Sequence, residues 1–221
     1  MFWPVSSGLF ASLPTHARER KIPYNPTVSF PIANVLTVAR IIMIPLVVIL
    51  FFMPNTWSNA AAATMFIMAA LTDSLDGYLA RKLGQISALG AFLDPVADKL
   101  MVATALILLV SYEPPMLELF VYNPKVLIVL TAAVIVGREI TISALREWMA
   151  EMGARGKVAV SSIGKWKTIF QMTGLSLMLF RSDVWILPAF ELGVYCLVAA
   201  AALTLWSMVM YLRAAWPDLT R

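Results

Sequence analysis

Six long apolar runs constrain this chain more than any other feature. They cover roughly 33–53, 58–82, 87–112, 123–150, 161–181 and 185–212. Crossing the hydrocarbon of a bilayer takes a helix of about 20 residues. Turn-forming residues separate the runs: Pro54-Asn55, Gly84, Pro114-Pro115, Gly153 to Gly156 and Ser182-Asp183. Composition agrees, with 60% hydrophobic and only 14% charged residues, where a soluble domain carries about 25% charged. The expected fold is an all-α integral membrane protein with six transmembrane helices. Residues 31–221 form its helical domain, and residues 1–30 an N-terminal cytoplasmic or interfacial segment. That segment holds Pro4, Pro14, Pro23 and Pro26 beside Arg18, Arg20 and Lys21. Its first ten residues lack a basic start, so no cleavable signal peptide is expected.

Basic residues orient the spans. Arg18, Arg20, Lys21, Arg81, Lys82, Arg155, Lys157, Arg213 and Arg221 fall on one side, against Lys125 and Arg181 on the other. Basic loops stay cytoplasmic, so both termini are expected there, with Trp57 and Trp185 as anchors at the far interface. The net charge of +4 is small, and no nucleic-acid partner is expected. A single cysteine, Cys196, excludes an intramolecular disulfide and a cysteine-based metal site. The one histidine, His16, lies in the polar N-terminal region.

Against this apolar background, DSLDGYLARKLGQISALGAFLDPVADK (73–99) gathers Asp73, Asp76, Asp94 and Asp98. Asp73 and Asp76 are i, i+3; Asp94 and Asp98 are i, i+4, with Gly90 one turn earlier. Each pair therefore shares a helix face. Spans two and three form a hairpin with a cytoplasmic loop, which puts all four acids at one depth. Four carboxylates converging in a membrane repel one another, and unpaired charge there costs several kcal/mol. Arg81 and Lys99 offset part of this; divalent cations offset more. Oxygen ligands without thiolate or imidazole suit Mg²⁺, Mn²⁺ or Ca²⁺. Four carboxylates can hold two ions about 3.5–4 Å apart, an arrangement that clamps both oxygens of a phosphoryl displacement. Gly77 and Gly90 either let a bulky ligand approach or serve close helix packing. Pro95 is expected to bend span three. Arg40, about two turns into span one, either balances the acids or snorkels to headgroups.

The pattern D-x2-D-G-x2-A-R-x8-G-x3-D-x3-D, filled by Asp73, Asp76, Gly77, Ala80, Arg81, Gly90, Asp94 and Asp98, resembles the signature of the CDP-alcohol phosphatidyltransferases. NVLTVAR (34–40) resembles the family's first-span motif. REITISALREWMAEMG (138–153) and KWKTIFQMTG resemble a bacterial branch whose acceptor is glycerol 3-phosphate. The similarity covers about residues 30–218. The resemblance implies a six-helix fold, a homodimer, and a polar cavity open to the cytoplasm of a bacterial inner membrane. It implies two divalent metal ions (Mg or Mn) held by Asp73, Asp76, Asp94 and Asp98, with Asp98 as general base. CDP-diacylglycerol is the implied donor, contacted by Asn34, Thr37, Asp73, Gly77 and Arg81.

Arg138, Arg146, Lys165 and Lys167 lie toward the same half of spans four and five, and Arg138 and Arg146, eight apart, fall close to one helix face with Ile142 between. Such a basic cluster suits a phosphorylated acceptor, because arginine pairs phosphate oxygens in two-pronged fashion. Glycerol 3-phosphate fits, and Glu139 and Glu147 are expected to orient these cations. The bland alternative is that Arg138 pairs with a nearby acid and the lysines mark the interface. No activated serine or cysteine is evident, so a single displacement is expected. Another acceptor, such as inositol phosphate or serine, is the rival within the same chemistry. A divalent-cation transporter is the rival from another class.

Overall fold

The computed structural model describes residues 32–83, 88–113, 123–152, 162–181 and 188–219. The expected N-terminal segment and the breaks at Gly84, Pro114-Pro115, Gly153 to Gly156 and Ser182-Asp183 lie outside them. The described residues form six helices in order: α1 (Ile32–Phe52), α2 (Thr56–Leu83), α3 (Ala88–Ser111), α4 (Pro124–Glu151), α5 (Ser162–Phe180) and α6 (Ala189–Leu219). Three are long and apolar enough to cross a membrane by length and composition: α1, α4 and α6. The others carry charge within their length: Asp73, Asp76, Arg81 and Lys82 on α2; Asp94, Asp98 and Lys99 on α3; Lys165 and Lys167 on the short α5, while α4 carries Arg138, Glu139, Arg146 and Glu147 toward its C-terminal end.

Local chemistry sets the helix ends. α1 stops two residues before Pro54, since the residue preceding a proline is pushed out of the helical region. Before α4, the Asn123 side chain accepts from the backbone N–H of Lys125 at 3.1 Å and of Val126 at 3.4 Å, and Pro124 opens the helix. Pro45, Pro95 and Pro217 lie inside helices that run on through them. The last helix begins at Ala189 rather than 185 and continues to Leu219 rather than 212. Its final turns persist past Arg213 because Tyr211 and Ala215 are buried against Ile142, Leu145 and Met149 of α4.

The main core joins Phe51, Phe66, Leu106, Leu109, Ile135, Leu175, Met178 and Leu197, drawn from all six helices. α5 and α6 make the most extensive helix pair, followed by α1 and α2. Small residues allow the first of these: a Cβ on Gly174 would stand 2.9 Å from the Gly193 carbonyl oxygen. Val35, Ile42, Ile49, Leu130, Ile140 and Trp206 point outward and exposed, as lipid-facing side chains do.

Arg181 closes the end of the bundle opposite the acids. It leaves α5 with φ 53°, a left-handed conformation more often taken by glycine. Its guanidinium lies 4.1 Å from the Phe51 ring centroid and 5.4 Å from that of Tyr112. It donates to the Phe51 carbonyl at 2.8 Å and to the Asn59 side chain. One side chain thereby ties α5 to α1, α2 and the end of α3.

Candidate active site

α1 reaches both arms of the acidic hairpin. Thr37 and Arg40 are three residues apart, so they share a face, and both are fully buried. Thr37 Oγ1 donates to Asp94 Oδ1 of α3 at 2.6 Å. Arg40 Nη1 donates to Asp73 Oδ1 of α2 at 2.7 Å, in an ion pair. Of the two expectations for Arg40, charge balance is the one observed; at 0% exposure it does not snorkel. Asn34, a further turn back, is 5% exposed, and Gly90 is buried. Asp76, Gly77 and Arg81 belong to α2, but their side chains lie outside the described residues.

Among the described residues, no group of three or more histidine, cysteine, aspartate or glutamate side chains lies close enough to hold a metal ion. The donor chemistry still fits a hard dication. The set is oxygen only, and Asp73 and Asp94 each commit Oδ1 to a donor of α1, which aims the rest of the carboxylate. Arg40 supplies one buried positive charge beside Asp73.

Asp98 differs from these two acids. It is exposed and lines a cavity of about 530 Å³ bounded by α3, α4 and α5. Lys99 and Ser143 line it as well, joined by a 2.7 Å hydrogen bond from Lys99 Nζ to Ser143 Oγ. Glu139, Glu147, Lys167, Thr168 and Gln171 complete the polar lining. Among the described residues, Asp73, Arg40, Glu139 and Lys167 lie near enough for their charges to act on Asp98. The cavity thus brings Asp98, Glu139 and Glu147 together with Lys99 and Lys167 against a largely apolar wall.

The basic cluster expected from spans four and five divides in two. Lys167 is 6% exposed and donates to Glu139 in an ion pair. Arg138 is 8% exposed and turns toward α6: it donates to Glu139 Oε1 at 3.0 Å and to Ser207 Oγ at 3.2 Å. Its guanidinium sits 5.8 Å from the centroid of Tyr211, and that of Arg146 sits 5.6 Å from the same ring. Arg146 and Lys165 are exposed. Of the four cations, the cavity lining includes Lys167 alone. Glu139 orients two of them, as expected. The spacing of Arg138 and Arg146 correctly put them on one face with Ile142; that face meets α6.

Lys99, Ser143 and Gln171 are cavity residues to which the sequence pattern assigned no site role. A signal existed for Gln171, which follows Lys167 by four residues in KWKTIFQMTG.

A family model described as CDP-alcohol phosphatidyltransferase matches residues 30–209. A protein of Escherichia coli (strain K12) is 48% identical over 190 residues, covering 86% of this chain and 97% of its own length. It is named CDP-diacylglycerol--glycerol-3-phosphate 3-phosphatidyltransferase. Proteins of the same name from Shigella sonnei (strain Ss046) and Shigella boydii serotype 4 (strain Sb227) match with the same identity and coverage.

Proposed function

Since the chain belongs to the CDP-alcohol phosphatidyltransferase family, we propose that it transfers the phosphatidyl group of CDP-diacylglycerol to sn-glycerol 3-phosphate. The products are phosphatidylglycerophosphate and CMP. The observation that carries the acceptor assignment is the cavity lined by both Asp98 and Lys167. A base and a phosphate-pairing cation in one pocket suit an acceptor that has a hydroxyl at one end and a phosphate at the other.

Asp98 takes the proton of the attacking hydroxyl. The acceptor oxygen bonds to the lipid-side phosphorus as the bond from that phosphorus to the oxygen of CMP breaks. Lys167 pairs with the acceptor phosphate, with Arg138, Arg146 and Lys165 adding positive potential around it. Glu139 holds Lys167 and Arg138 in place. Asn34, Thr37, Asp73, Gly77 and Arg81 form the CDP side. Within that group Thr37 acts through Asp94, to which it donates. Asp73, Asp76, Asp94 and Asp98 would hold two divalent ions, Mg or Mn, whose chemistry is to neutralise the pyrophosphate. The family resemblance also supports a homodimer in a bacterial inner membrane. Six crossings with both termini cytoplasmic would open the cavity to the compartment that holds the water-soluble acceptor.

The test is CMP release by the purified protein supplied with CDP-diacylglycerol and one acceptor at a time. Release with glycerol 3-phosphate is expected, with none from serine or inositol phosphate. Turnover with serine in preference to glycerol 3-phosphate overturns the acceptor assignment, and undiminished turnover in excess chelator overturns the metal set.

A further inference from the structure

Gln171 lines the cavity and carries an unmet polar atom. It is 5% exposed, lines the space shared by Asp98 and Lys167, and its amide oxygen has no hydrogen-bond partner among the described residues. Buried polar atoms are paired in the great majority of cases, and leaving one unmet costs about 1–3 kcal/mol. An amide oxygen accepts, so its missing partner is a donor. Phosphate at neutral pH offers oxygen acceptors above all, whereas a hydroxyl donates. Turned end for end the amide would donate instead, and a hydroxyl satisfies either orientation.

Position narrows the ligand. Gln171 lies one turn beyond Lys167 on α5, and residues four apart share a helix face. Asp98 lines the same cavity from α3. A small acceptor whose phosphate pairs with Lys167 and whose terminal hydroxyl faces Asp98 carries any middle substituent through the space between them. In glycerol 3-phosphate that substituent is the secondary hydroxyl.

Resting on the reaction assigned above, we propose that Gln171 is a specificity-determining residue that hydrogen-bonds the secondary hydroxyl of the acceptor. It distinguishes a glycerol phosphate from a phosphorylated alcohol of the same length without that group. The bond also tells the cavity which carbon of the acceptor is central. The hydroxyl presented to Asp98 is then the terminal one.

The test compares glycerol 3-phosphate with propane-1,3-diol monophosphate, which lacks only the secondary hydroxyl. Dissociation constants by titration calorimetry and kcat/KM by CMP release are read on the wild type, Gln171→Met and Gln171→Asn. The wild type should favour glycerol 3-phosphate by about tenfold or more, as sites built to bond a hydroxyl reject analogues without it. Gln171→Met keeps length and volume and should bring the ratio close to one by weakening glycerol 3-phosphate alone. Should that variant fail to fold, Gln171→Asn, with its shortened amide, must still narrow the ratio. A wild type indifferent to the missing hydroxyl overturns the inference without any variant. So does a Gln171→Met enzyme that weakens both acceptors equally, which is what a packing role would do. A wild type that shows the binding preference yet releases no CMP overturns the assigned reaction and leaves the Gln171 assignment standing.

Discussion

Asp94 and Asp98 lie one turn apart on α3, yet they belong to two differently built regions. Asp94, with Asp73 across the hairpin, is held by buried donors of α1. Asp98 faces a cavity whose polar lining is drawn from α3, α4 and α5. The first region is bound to a helix whose position is set by packing, since Thr37 and Arg40 have no exposure through which to move. The second presents its charge to open space. The contrast teaches that a membrane protein can use identical residues in two ways: Asp73 and Asp94 are pinned by a neighbouring helix, and Asp98 is left accessible beside a cavity.

Substitutions test this division. Asp98→Asn should cut kcat by about 1,000-fold, the scale of positioned general-base catalysis, while the melting temperature of the detergent-solubilised protein stays within experimental error. A fall in melting temperature would show that Asp98 is pinned as well. Arg40→Ala should cut kcat/KM by roughly 100-fold and also lower the melting temperature, because it leaves a cavity where a fully buried side chain stood and takes the counter-charge from Asp73. The paired loss of activity and stability is what separates it from Asp98→Asn.

Smaller effects sharpen the comparison within the cavity. Lys167→Ala should raise the KM for glycerol 3-phosphate roughly 30-fold with little change in kcat, as expected for loss of one charge-assisted contact to phosphate. Arg138→Ala should raise that KM less and destabilise more, since its guanidinium faces Ser207 and Tyr211. The reverse order would return the phosphate contact to Arg138. Thr37→Val should cost about tenfold in kcat/KM, the worth of one hydrogen bond to a charged group. Thr37→Ser, which keeps the hydroxyl, should restore most of it. A loss in the serine variant with none in the valine variant would mean that the methyl group, not the bond to Asp94, matters.

Some of this was legible without coordinates. The periodic faces of Asp73 with Asp76 and of Asp94 with Asp98 were plain in the spacing, as was the pairing of Glu139 with neighbouring cations. Other features were not. Arg138 and Arg146 read as a phosphate clamp because their spacing puts them on one face, but spacing is silent about what that face meets. Gln171 drew no notice because a lone glutamine on an apolar helix is commonly a packing residue; its meaning comes from being buried without a partner.

By itself the amino-acid sequence determined the helices, the acids on their shared faces and the family to which the chain belongs. These follow from local periodicity, from hydropathy summed over about 20 residues and from fixed motif spacings. Tertiary structure alone decided that α1 holds two of the acids, that Lys167 rather than Arg138 lines the cavity, and that α5 turns Gln171 toward the same space. The reason is geometric: helical spacing fixes which side chains share a face, while the neighbour across that face is chosen by packing among residues far apart in the chain.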